Sequence, residues 1–146
     1  MVLYLMRTST LIVLATVLTA INAQESPSRE LDASAKKVKE LQQERITTLK
    51  AVVELGTKLA TVGHFEIRDI SDARMTLLKA ELDAVENESD RIALYKEALN
   101  SLQQYEALAK AAKEAARATE LDKLAIKARR LQVEIWLEQA KIKTAK

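Results

Sequence analysis

Apolar residues recur along this chain with alternating spacings of three and four, the period of helices that pack against other helices. The first such segment covers residues 29–62. Its apolar positions form two rows of seven-residue spacing, Leu31, Val38, Val52 and Leu59 in one row and Leu41, Leu55 and Val62 in the other. The rows are interrupted at Arg45, Ser34 and Thr48. We therefore expect one long helix with a coiled-coil-like contact face.

Three further segments show the same period. Their apolar positions are Ile70, Ala73, Leu77, Ala80 and Ala84 in the second, Ile92, Tyr95, Leu99, Leu102 and Ala109 in the third, and Leu121, Leu124, Ala128, Leu131, Ile135 and Ile142 in the fourth. A polar break at residues 87–90 separates the second from the third, with Ser89 or Asp90 as the expected N-cap. Thr119, followed three residues later by Asp122, is a capping-box pattern for a fourth helix.

These segments predict an all-α fold. Two glycines, one proline and 3% aromatic residues leave few residues that favour turns or sheets. We expect four helices arranged as two long antiparallel hairpins, residues 29–88 and 89–146. A shift of 53 residues places Gly63 on Ala116 and Asp69 on Asp122, which supports two related hairpins. A continuous helix through residues 110–125 is the alternative, because alanine replaces glycine at the second turn.

Residues 62–74 are expected to form the tip of the first hairpin. Gly63 can adopt a positive φ and so reverse the chain. Apolar side chains at such a tip either bind a partner or cap the core of their own hairpin. The candidate partner-binding residues are Val62, Gly63, His64, Phe65, Ile67 and Asp69.

The tip resembles a known family. Val62, Gly63, Ile67, Asp69, Ala73 and Arg74 stand at the intervals at which Val-Gly, Ile or Leu, Asp and Ala-Arg recur in the periplasmic tip of TolC-type outer-membrane efflux proteins. The resemblance implies tandem helical hairpins, three copies in a twelve-helix tube, and a tip that meets the helical hairpin of a periplasmic adaptor. Residues 87–90 are far fewer than the roughly 9–11 residues of a membrane strand, so we expect no transmembrane barrel.

The N-terminal segment predicts export. Arg7 precedes an apolar run at residues 11–21, and a small residue, Ala23, ends a cleavage site, so residues 1–23 fit a signal peptide. An uncleaved anchor and a buried helix are the alternatives, and residues 24–28 are expected to be a linker. We expect a periplasmic or secreted protein that associates with the outer membrane through partners.

Composition argues against several kinds of chemistry. The net charge of +2 provides no strong field for binding nucleic acid. With no cysteine and one histidine, the chain offers no disulfide framework, thiol nucleophile or His-cluster metal site. The acidic pairs, such as Asp69 with Asp72, lie on polar helix faces. We expect no enzyme, cofactor or metal, and a structural or protein-interaction role with itself as partner; a component of an efflux assembly that docks an adaptor through the Gly63 tip is the alternative.

Two single residues leave alternatives open. Gly56, inside the first predicted helix, either permits close approach of another backbone or weakens that turn. Trp136 is expected to pack against the first and third helices, and an oligomer contact is the alternative.

Overall fold

The computed structural model describes residues 27–145. Four α-helices follow in order, α1 Pro27–Thr61, α2 Ile67–Ala84, α3 Glu88–Glu114 and α4 Glu120–Thr144. The predicted all-α, four-helix fold is confirmed. None of these four helices has a stretch long and apolar enough to cross a membrane.

The predicted N-terminal segments fall mainly outside the described part of the chain. Residues 1–23, expected to be a signal peptide, and residues 24–26 of the expected linker lie outside it. Pro27 and Ser28 belong to α1, so this helix begins two residues earlier than expected. Proline suits the first position of a helix because the amide hydrogen it lacks would have no partner there.

Short turns make successive helices antiparallel. α1 packs against α2, α2 against α3 and α4, and α3 against α4. The 35 residues of α1 span about 50 Å at a rise of 1.5 Å per residue, against about 27 Å for the 18 residues of α2. The N-terminal part of α1 therefore extends beyond the helix it packs against.

The main core lies between α2, α3 and α4. Its buried members are Ile70, Leu78, Tyr95, Ala98, Leu102, Tyr105, Ala109, Ile126, Val133, Leu137 and Ala140. Each large side chain buried there contributes about 1.5–3 kcal/mol. Trp136 is half-buried beside this core, and its ring centroid lies 6.3 Å from that of Tyr95 on α3. Trp136 thus packs within its own chain.

A second, smaller core joins α1 to α2. Ile46 is buried against Leu77 and Ala80, with Leu49 and Val53 beside them. Further along α1, Gly56 is buried, and a Cβ placed on it would come within 3.3 Å of Cγ1 of Ile70. The three atoms nearest that position belong to the side chains of Ile70 and Phe65, so Gly56 leaves room for side chains and not for another backbone.

Three details of the structure differ from the sequence pattern. The row of α1 that meets α2 is Ile46, Leu49, Val53, Gly56 and Ala60, whereas the predicted rows point largely to solvent. The α3 N-cap is Asn87 instead of Ser89 or Asp90, because the Asn87 side chain accepts the backbone N–H of Asp90 at 2.8 Å. The apolar positions that define the predicted period of α4 are also exposed, as described below.

Candidate functional site

The first turn, between α1 and α2, is closed by two backbone hydrogen bonds. The Gly63 N–H donates to the Ala60 carbonyl at 3.0 Å, and the His64 N–H donates to the Leu59 carbonyl at 2.9 Å. Gly63 has φ +79°, a conformation that costs glycine little. These bonds satisfy carbonyls at the end of α1 and reverse the chain, as the Schellman motif does.

The second turn, between α3 and α4, repeats this geometry 53 residues later. The Ala116 N–H donates to the Lys113 carbonyl at 2.9 Å, and the Arg117 N–H donates to the Ala112 carbonyl at 2.8 Å. Ala116 takes φ +55°, the one positive φ among non-glycine residues of the described chain. Residues 110–125 therefore form a second turn and not one helix.

The predicted capping box at the start of α4 is confirmed. The Thr119 hydroxyl accepts the Asp122 N–H, and the Asp122 carboxylate accepts the Thr119 N–H at 2.9 Å. The hydrogen bonds from the Thr119 hydroxyl and backbone lower the pKa of Asp122 from its usual value of 3.8. Asp122 is thus a carboxylate at neutral pH and favours the N-terminal end of the helix.

The two turns lie side by side and enclose a cleft of about 960 Å³. Its wall includes Ile67 from the first hairpin and Leu108 and Ala112 from the second. Arg68 and Asp122 form an ion pair at 3.6 Å that joins the hairpins beside it. The cleft thus combines an apolar wall with charged groups at its margin.

The structure places the six predicted tip residues in different surroundings. Gly63, His64, Phe65, Ile67 and Asp69 line the cleft, and Val62 lies outside it. Val62, His64 and Asp69 are exposed, while Ile67 packs against the main core. Phe65 is 40% exposed, and the rest of its ring lies beside Gly56. Ile67 therefore packs into the core that both hairpins share, and Phe65 packs in part against its own hairpin.

An ion network around two buried residues, Arg74 and Glu81, connects three helices next to the core. Arg74, 1% exposed, contacts Glu81 at 3.3 Å and Glu97 at 3.1 Å. Lys50 reaches the other oxygen of Glu81 at 3.1 Å. Two cations and two anions thus compensate each other, which a buried charge requires. Arg74 belongs to the motif that resembles TolC-type tips, and here its side chain has a packing role.

The outer faces of α1 and α4 each carry exposed apolar residues. We call Leu31, Val38, Leu41, Val52, Leu55, Leu59 and Val62 the α1 stripe, and Leu121, Leu124, Ala128, Leu131, Ile135 and Ile142 the α4 stripe. In the α1 stripe the exposed fraction reaches 70% at Leu31, and Leu59 alone is half-buried. In the α4 stripe it is 66% at Leu121 and 51% at Ile135. These rows of large apolar side chains are candidate contact surfaces.

Sequence reasoning missed the features that depend on how the hairpins meet. The Arg68–Asp122 pair and the Arg117 guanidinium, which lies over Gly63, join the two turns. Both involve charged residues in ordinary polar positions, where the sequence carries no signal of a partner.

Scans against protein-family models, curated proteins and solved structures found no significant match to this chain.

Proposed function

We propose that this chain is an exported, non-enzymatic helical-hairpin protein with a structural, protein-interaction role in the bacterial periplasm. The observation that carries the proposal is the pair of apolar stripes on α1 and α4. Their side chains keep the alternating three-and-four spacing of helices that pack on other helices. The row of α1 that contains Ile46, Leu49 and Val53 meets α2, and the α1 stripe lies on the adjacent face. A second helix can therefore pack on the stripe without displacing α2.

The energetic cost of the exposed stripes supports the same conclusion. Leu55 is 59% exposed and Ile142 is 60% exposed, although leucine and isoleucine gain about 1.5–3 kcal/mol when fully buried. A partner helix along either stripe would recover part of this free energy. The stripes are therefore better suited to a contact between proteins than to permanent exposure.

Photocrosslinking in the producing cell tests the proposal. A photoreactive amino acid at Leu55 or Leu131 is expected to yield covalent adducts, whether with a second copy or with another protein. The same amino acid at Lys79, an exposed polar position on α2, is the control and is expected to yield none. Absence of adducts at both stripe positions in a helical, exported chain would overturn the proposal. Fractionation, together with the mass of the purified chain, tests export and removal of residues 1–23.

The cleft between the turns favours a second candidate function, a component of a TolC-like efflux assembly that docks an adaptor through the Gly63 tip. The partly exposed ring of Phe65 beside an apolar wall supports it. Deletion of the gene is then expected to raise retention of an efflux dye, and a Phe65→Glu chain is expected not to restore export of the dye. Unchanged retention after deletion would exclude this function and leave the first proposal intact.

A further inference from the structure

Each stripe contains one charged residue at a place where its spacing calls for an apolar one. In α1 this residue is Arg45, between Leu41 and Val52. In α4 it is Glu138, between Ile135 and Ile142. Arg45 contacts Asp83 at 3.9 Å, and Glu138 contacts Lys141 at 2.7 Å. All four side chains are about half exposed or more, so both pairs are weak and free to rearrange.

The ends of the two stripes lie at the same end of the molecule. Val62 follows the last residue of α1, and Leu121 is the second residue of α4, so both stand at the turns. α1 runs toward the turns and α4 runs away from them. Two copies placed side by side in the same orientation therefore bring α1 of one antiparallel to α4 of the other.

One register of this arrangement matches the stripes from Val62 back to Leu41 on α1 and from Leu121 forward to Ile142 on α4. With Val62 opposite Leu121, each step back along α1 meets an equal step forward along α4. The facing pairs are Leu59 with Leu124, Leu55 with Ala128, Val52 with Leu131, Thr48 with Ile135, Arg45 with Glu138, and Leu41 with Ile142. The two charged interruptions therefore meet each other, with opposite sign.

We propose that α4 of one copy packs antiparallel along α1 of a second copy, with Arg45 facing Glu138 across the contact. This inference rests on the proposed interaction role and names its partner as a second copy of this chain. A charged pair within an apolar seam fixes register, because any other alignment leaves a charge against an apolar side chain. The surfaces on the two copies differ, so repetition gives a closed ring or an open filament.

Charge reversal tests the pairing, measured by light scattering and sedimentation on the exported full chain. The unsubstituted chain is expected to associate. Arg45→Glu and Glu138→Arg are each expected to raise the dissociation constant at least about tenfold, since like charges then face each other. The double variant Arg45→Glu/Glu138→Arg is expected to regain most of the affinity. Lys79→Glu, an equal change of charge away from both stripes, is expected to leave association unchanged.

Two outcomes of the association measurements would overturn the inference. One is an unsubstituted chain that stays monomeric up to about 1 mM, beyond the range of most specific contacts. The other is a double variant as weak as the single variants. If the chain is monomeric while Leu55 still crosslinks to other proteins, this inference fails and the proposed function stands.

Disulfide crosslinking tests the register independently, since the natural chain contains no cysteine. Chains carrying Leu41→Cys, mixed with chains carrying Ile142→Cys, are expected to form a mixed disulfide on oxidation. Leu121→Cys replaces Ile142→Cys in the control and is expected not to react, because these two positions lie about 30 Å apart along α4. Disulfides between two Leu41→Cys chains, without the mixed product, would show α1 packing on α1 and contradict the inference.

Discussion

Gly63 and Ala116 adopt the same left-handed conformation at matching places in two turns, although one is a glycine and the other is not. In each turn this residue and the one after it donate backbone hydrogen bonds to equivalent carbonyls of the preceding helix, so the backbone path is the same in both turns. A Cβ in this conformation is strained by about 1–2 kcal/mol. The second turn therefore carries strain that the first avoids.

Exchanging the two residue types is expected to have opposite effects. Ala116→Gly removes the strain but gives the unfolded chain more freedom, for a net gain of about 0.5 kcal/mol in the free energy of unfolding. Gly63→Ala is expected to lose about 0.5–1 kcal/mol for the converse reason. Urea denaturation measures both changes. Ala115→Gly, at an ordinary φ of −87°, is the control and is expected to destabilise.

Removal of Arg74 is expected to destabilise the fold strongly. Arg74→Met leaves Glu81, 4% exposed, with Lys50 as its remaining cation, at an expected cost of about 3 kcal/mol. Arg74→Met/Glu81→Met removes both charges and is expected to recover most of that loss. Arg68→Met, which breaks a more exposed pair, is expected to cost no more than about 1 kcal/mol. Equal losses in the Arg74 and Arg68 variants, compared by urea denaturation, would contradict the assigned role of Arg74.

Tyr105→Phe is expected to weaken the contact of α1 with α3. The Thr57 hydroxyl donates to the Val53 carbonyl at 2.7 Å, so its bond with Tyr105, at 3.1 Å, has the tyrosine as donor. Loss of the tyrosine hydroxyl is expected to cost about 1 kcal/mol. Thermal unfolding measures the change. Thr57→Val, which removes the acceptor, should cost no less; a neutral result for both variants would show that the bond contributes nothing.

Acid is expected to weaken the start of α4. The pKa of Asp122 is lowered in the folded chain, mainly by hydrogen bonds from Thr119, so the unfolded chain takes up a proton at a higher pH. The stabilising effect is therefore fully present above about pH 5 and is lost as the pH falls below the usual value of 3.8. Hydrogen bonds from Lys113 and Lys123 lower the pKa of Glu120 in the same sense.

Asp122→Asn tests this pH dependence. The difference in the free energy of unfolding between the unsubstituted chain and the variant is expected to shrink between about pH 6 and about pH 2, since the unsubstituted chain loses the charge there. Urea denaturation at several pH values measures it. A difference independent of pH would show that the charge of Asp122 does not stabilise the fold.

Local signals in the sequence predicted local structure well. Gly63 specifies the end of a helix, and the pair Thr119 and Asp122 specifies the start of one. Both act through hydrogen bonds to residues a few positions away, so these helix ends do not depend on how the helices pack. The four helices follow from the sustained period of three and four in a chain with few turn-forming residues.

The face that α1 turns toward α2 was predicted wrongly for a physical reason. α1 carries two adjacent lines of apolar residues with the same period, the α1 stripe and the row that meets α2. The sequence pattern favoured the stripe, with its larger side chains, as the contact face. The row that meets α2 includes Gly56 and Ala60, and the small size of Gly56 leaves room for the side chains of Ile70 and Phe65. Large side chains favour the α1 stripe as the contact face, whereas the room that small residues leave for a neighbouring helix's side chains favours the row with Gly56. The sequence alone does not decide between the two.

The N-terminal end of α1 stands clear of the other three helices. Residues 29–38 are exposed along their whole length, since α2 ends beside Lys39. From Arg29 to Val38 this bare helix measures about 14 Å. Every face of this stretch of α1 is therefore open to solvent, at the end of the molecule opposite the two turns.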